Sequence, residues 1–169
     1  MTSGLLHSEE LSAREVLVRF CDLDVQGGQL TPEGWQKTAA LFAEPGKRQR
    51  YGITVIRDYV VSRPLIENQA EFYVEYIELG RIDLSKIRFS SPLPAGIKVR
   101  AGFQLKQSGT TPVGHRADRA EWKIEGRVPE PHLTVDSAIR YVTELRTDAK
   151  DPAARKNADR TLAALKRLR

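Results

Sequence analysis

The amino-acid sequence predicts an α+β domain: a curved, mostly antiparallel sheet wrapped around N-terminal helices, with two extra C-terminal helices. Two segments alternate almost strictly in polarity. In Ile97–Lys106, Ile97, Val99, Ala101, Phe103 and Leu105 share one face, while Lys98, Arg100, Gln104 and Lys106 share the other. In Arg119–Gly126, Ala120, Trp122 and Ile124 oppose Arg119, Glu121, Lys123 and Glu125. A period of two with that polarity describes a sheet that is dry on one side and wet on the other. The third observation is the flanks, where the apolar residues recur at helical spacing instead.

The elements follow in order. Ser12-Ala13-Arg14-Glu15 is a capping box, in which the Ser12 hydroxyl takes an orphan backbone N–H and Glu15 reaches back to the cap. The helix it opens runs to about Val25 with a stripe of Val16, Phe20 and Leu23, and Gly27-Gly28 stops it. Thr31-Pro32 opens a second helix carrying Trp35, Thr38, Ala39 and Phe42 on one side, closed by Glu44-Pro45-Gly46. Lys47–Arg50 reads as an exposed basic loop. The first strand, Ile53–Ser62, is apolar on both faces: Ile53, Val55, Tyr59 and Val61 on one, Ile56 and Val60 with Asp58 on the other. Glu71–Leu79 is the next strand, punctuated by Gly80. Asp83–Gly96 reads as a loop, and Ser108–Asp118 as a long connection. Pro129–His132 leads out of the sheet in extended form. Thr134 caps a helix with an Ala138, Ile139, Val142 and Leu145 stripe. Asp151-Pro152 starts the last helix, whose stripe is Ala154, Ala158, Leu162 and Leu165.

The length of 169 residues fits one domain, with 12–126 as the helix-plus-sheet unit and 127–169 as a helical extension. Apolar content of 40% and charged content of 29% are ordinary for a globular protein, and no window approaches a membrane span. The first ten residues lack the basic start and apolar core of a signal peptide, so a cytoplasmic location is expected. Cys21 is the only cysteine, which excludes an internal disulfide and a cysteine metal cluster. The net charge of +5 is concentrated in the last twenty residues, with seven basic and two acidic side chains. That segment has no aromatic for base stacking, so it reads as a solvated helix face and not as a nucleic-acid surface.

Eight residues stand out as candidates for a site. Asp58 and Glu75 are carboxylates on strands with apolar neighbours. Burial there raises a carboxylate's pKa and fits it for general acid or base work. Each also has a plain alternative as a partner for a basic residue across the sheet. Tyr59, Tyr73 and Tyr76 offer hydroxyls to orient a ligand, Trp35 and Trp122 apolar walls, and His132 a ring between prolines and a helix cap. In the sharper form, Asp58 faces inward and Tyr73 and Glu75 join it across the strand pair. His7, His115 and His132 lack metal-ligand spacing, and no phosphate loop or dinucleotide motif is present, so no metal and no cofactor is expected.

Two N-terminal helices, the second opened by Leu30-Thr31-Pro32-Glu33-Gly34-Trp35, precede several long strands. This order, over roughly Ser12–Gly126, resembles the nuclear transport factor 2-like superfamily, the cone-shaped cystatin-like fold shared with ketosteroid isomerase and scytalone dehydratase. The resemblance implies an apolar pocket at the wide end of the cone and raises the expectation of a homodimer. Arg63–Ala70 is too short for the third helix of many members, and the two C-terminal helices are additional. Three functions remain open: a domain binding a small apolar ligand in the cone; a lyase, isomerase or hydrolase using Asp58 or Glu75; or a non-catalytic homodimeric interaction protein. None involves a specific nucleic acid or a membrane.

Overall fold

In a computed structural model, residues 11–48, 51–62, 70–91, 95–108 and 121–169 are described. Helix α1 (Ala13–Val25) begins at the expected capping box: Glu15 N donates to Ser12 Oγ at 3.2 Å, and Ser12 N to Glu15 Oε2 at 2.6 Å. Gly27, at φ 86°, takes the left-handed turn that ends it, and a 3-10 turn, Gly28–Leu30, follows. Helix α2 (Pro32–Ala39) is capped by Thr31, whose Oγ1 accepts Gly34 N at 3.1 Å.

The strands are β1 (Gly52–Ser62), β2 (Glu71–Asp83), β3 (Arg88–Ser90), β4 (Ile97–Ser108), β5 (Glu121–Ile124) and β6 (His132–Thr134). They form one strongly curled sheet in the order β5-β4-β2-β1-β6, with β3 pairing β2. All pairings between these strands are antiparallel except that of β6 with β1. Beyond β5 the chain after α2 extends the edge: Phe42 bridges Ile124, with Ala43 N donating to Ile124 O at 2.9 Å. Helices α3 (Val135–Asp148) and α4 (Pro152–Lys166) complete the fold.

The sheet separates two cores. Against α1 lie Ile56, Val61, Phe72, Val74, Tyr76, Phe103, Leu105 and Ile124, packed on Val16, Leu17, Phe20 and Cys21. Against α3 and α4 lie Ile53, Val55, Ile82 and Leu133, packed on Ala138, Val142, Ala158, Leu162 and Leu165. Two bulges explain how β1 and β2 serve both. Val55 pairs Gly80 but Ile56 pairs Glu78, so Leu79 is extra on β2; Tyr59 pairs Tyr76, so β1 holds one extra residue at Arg57-Asp58. Each extra residue reverses the inward-outward alternation. Strict alternation put Tyr59 and Val61 with Ile53 and Val55; the bulge moves them to the α1 side, with Ile56.

Several expectations are corrected. Gly80 does not end β2: the strand runs to Asp83, and a Cβ at Gly80 would lie 2.4 Å from Ser90 O, so glycine permits β3 to approach. Strands β3 and β6 are only three residues long and carry no readable alternation. Arg48 is half-buried, and its guanidinium donates to Gln29 O at 2.8 Å and to Leu30 O. The basic face of the last helix is exposed, as expected, but its other face is part of the core. Its Ala158 and Leu165 are fully buried against the central strands, while its basic side chains face outward. The 63–69 segment and the 109–118 part of the Ser108–Asp118 connection lie outside the described residues.

Candidate functional site

Three of the eight candidates converge on the last turns of α1. Asp24 is the organising group there. A carboxylate in the final turn of a helix meets the negative end of the helix dipole, and α1 has no basic residue in that turn. Asp24 is also only 1% exposed. Two N–H groups compensate: Gln29 Nε2 donates to Oδ1 at 2.6 Å, and His132 donates its backbone N–H to Oδ2 at 3.1 Å. His132 Nδ1 also lies 3.2 Å from Oδ2. Burial pushes the Asp24 carboxyl above its ordinary range, and the interactions with His132 and Gln29 offset only part of that rise. An ionised Asp24 only accepts, and with it the 3.2 Å contact requires the His132 proton on Nδ1.

Register brings His132 to this place. β6 runs parallel to β1 with His132 opposite Thr54, and the imidazole stacks on Tyr76 of β2 at 4.1 Å and 7° between planes. Tyr76 is buried; its hydroxyl reaches no hydrogen-bond partner among the described residues and lies beside the Cys21 thiol. Burial first, then the nearby Asp24 charge, pushes Cys21 up to about 12, so it is a neutral thiol and a poor nucleophile at physiological pH. Tyr59 OH donates to Asp22 Oδ1 of α1 at 2.5 Å; its own hydroxyl is driven up, by burial first.

The other candidates lie elsewhere. Asp58 is exposed rather than turned into an apolar pocket: it sits in the β1 bulge, and its Oδ1 accepts Tyr59 N at 2.8 Å. Val60, expected inside with Asp58, is 58% exposed. Glu75 pairs across the sheet with Arg100 at 2.9 Å and with Lys98 at 3.9 Å. The Arg100 hydrogen bond holds its carboxyl below the ordinary range, the reverse of a buried acid. Tyr73 shares that outer face beneath the Arg100 guanidinium, 5.6 Å from the ring centre. Trp35 and Trp122 pack half-buried against the α1 core. Asp58 and Glu75 are therefore not brought together with His132.

Chemically, Asp24 and His132 form the orienting half of an acid–base device: a carboxylate fixes the tautomer and leaves Nε2 with a lone pair. The thiol nearest this network is protonated. Among the described residues no group of three His, Cys, Asp or Glu could hold a metal ion. Depressions on the described surface include one of about 520 Å³ between the β2–β3 turn and α4, and one of about 400 Å³ between the end of α1 and α3. Neither is lined by any of the eight candidates. Sequence reasoning missed Asp24 altogether. The available signal was an acid in the last turn of a predicted helix, just before its glycine stop, where a free carboxylate is unfavourable. Comparison with protein-family models, with curated proteins and with solved structures finds no match for this chain.

Proposed function

We propose that this chain is a non-catalytic binding domain in which the candidate acid–base residues serve the fold. The observation that carries this is the Asp24–His132 contact. Asp24 has both oxygens occupied by Gln29 and His132, while His132 is stacked on Tyr76. The contact fastens β6 to α1, and β6 leads directly into α3. Its role is to hold the C-terminal helix pair on the sheet. Binding then falls to the outer surfaces, since Leu17, Phe20 and Cys21 of α1 fill the described part of the concave face.

The sign of a stability change tests this. Groups kept for chemistry are commonly held at a cost to the fold, so replacing them leaves stability unchanged or raised. Groups kept for structure destabilise when lost. Asp24→Asn and His132→Gln should each lower stability by about 1–3 kcal/mol, because a buried polar group on the other side of the contact loses its partner. Equal or greater stability in both variants would favour a catalytic role and reject the proposal.

The nuclear transport factor 2-like resemblance belongs to the same reading, supported by helices first and a curled sheet after. A homodimer has a separate basis. The outer face of β1, β2 and β4 exposes Val60 beside Glu75 and Arg100, an apolar spot flanked by opposite charges that can match across a two-fold axis. Sedimentation showing only monomer at micromolar concentration would remove it.

A further inference from the structure

We propose that the cleft between the β2–β3 turn and α4 binds a phosphate-bearing small ligand. The inference rests on the binding-domain reading and names the ligand class. Asn157, Arg160, Thr161 and Ala164 recur at helical spacing and present one face of α4 to the turn. From the turn come Lys86, Ile87, Arg88 and Phe89. The cleft, of about 520 Å³, is thus lined by three cations and by no acidic residue. A volume of that size accommodates a small phosphorylated molecule.

The turn that carries Lys86 and Arg88 is tied to α4 through its backbone. Thr161, 3% exposed, donates its hydroxyl to Ile87 O at 2.8 Å and accepts Phe89 N at 3.3 Å. Asn157 Nδ2 donates to Lys86 O at 3.0 Å. The turn is therefore fixed to the helix at Lys86, Ile87 and Phe89, on either side of Arg88. Ile87 itself sits at φ 49°, a conformation that a β-branched residue rarely adopts and that persists only where its surroundings enforce it. Such pre-organisation lowers the ordering cost of binding.

Charge decides the ligand. Arg88 and Arg160 have no ion pair among the described residues, whereas Arg81, Arg100, Arg146 and Arg169 are paired. Asp83, opposite Arg88 in the β2–β3 register, feels Lys86 and accepts two hydrogen bonds from Ser85, and Asp159, beside Arg160 in sequence, pairs with Arg146. Two guanidinium groups and an ammonium around one cleft match the several oxygens of a phosphate group. A nucleic-acid strand would need stacking aromatics, and Phe89 is instead half-buried against the α4 core.

The test uses the whole chain and titrates pyrophosphate while following backbone amide resonances. Lys86→Gln/Arg88→Gln/Arg160→Gln removes the cations; because all three side chains are exposed, its melting temperature should match the parent. Lys98→Gln/Lys106→Gln removes two cations elsewhere. The expected result is perturbation at 86–89 and 157–164, with affinity at least about 100-fold weaker in the cleft variant and unchanged in the control. A second arm uses phosphatidylcholine vesicles with and without phosphatidic acid. Binding there that the cleft variant loses, without a response to pyrophosphate, would place the phosphate on a lipid headgroup. No response in either arm, or equal binding by both variants, overturns the proposal. So does a single-stranded oligonucleotide that binds more tightly than pyrophosphate through Lys166 and Arg167. The fold reading fails by a different readout, the stability of the Asp24 and His132 variants, so the two are separable.

Discussion

Removing α4 should unfold the domain. Leu165 and Ala158 of this helix are fully buried and Leu162 is 9% exposed; across from them Ile53, Val55 and Ile82 are fully buried on the central strands. Burying a leucine, isoleucine or valine side chain contributes about 1.5–3 kcal/mol, so these two leucines and three strand residues account for about 7–15 kcal/mol. Whole-domain stability is only about 5–15 kcal/mol. Deleting Asp151–Arg169 takes away both leucines and uncovers part of the strand face. It also frees the turn that Thr161 and Asn157 hold. The milder perturbation, Leu165→Ala, should cost about 2–5 kcal/mol. Urea denaturation followed by circular dichroism reads both. The expectation is a lower midpoint with an unchanged slope for Leu165→Ala and loss of the cooperative transition for the deletion. A deletion variant that still unfolds cooperatively, with a midpoint near the parent's, would refute the assignment of α4 to the core.

Two further outcomes follow from the site geometry. Tyr76→Phe removes a buried hydroxyl without a hydrogen-bond partner among the described residues and keeps the ring that stacks on His132; stability should hold or rise, by up to about 1 kcal/mol, and a loss above about 2 kcal/mol would show that the hydroxyl is satisfied. The Arg100 hydrogen bond holds Glu75 below the ordinary carboxylate range, so the stability it contributes is present above that range and is lost as pH falls through its lowered folded pKa. Arg100→Gln should move its titration upward in a carbon-detected NMR experiment, and an unmoved titration would mean that the Arg100 pair is not its cause.

The order of elements was legible because each begins with a local chemical signal. The Ser12 capping box, the Thr31-Pro32 and Asp151-Pro152 starts and the Thr134 cap all depend on residues within a turn of one another. The faces of β4 and β5 were legible because neither is bulged in its described pairings: Phe103 and Ile124 are buried, and Trp122 packs on the same core. β1 was read with the wrong faces beyond Ile56 because a bulge adds one residue without leaving a glycine or proline to mark it. That single residue sent Asp58 to solvent and brought Tyr59 to α1. The Asp24–His132 contact spans 108 residues, a separation that no local pattern encodes. The basic C-terminal stretch was counted correctly, but a helix can be basic outward and core inward. Only packing shows which of its faces the fold uses.

The His132 ring, locked between Asp24 and Tyr76, can be watched directly. A long-range nitrogen–proton NMR correlation identifies which ring nitrogen carries the proton, and hydrogen exchange shows whether water reaches it. The expected result is a proton on Nδ1, held by Asp24, that exchanges as slowly as amides of the α1 core and becomes fast in Asp24→Asn. A ring protonated on Nε2 in the parent chain, exchanging like a surface histidine and indifferent to Asp24→Asn, would contradict it.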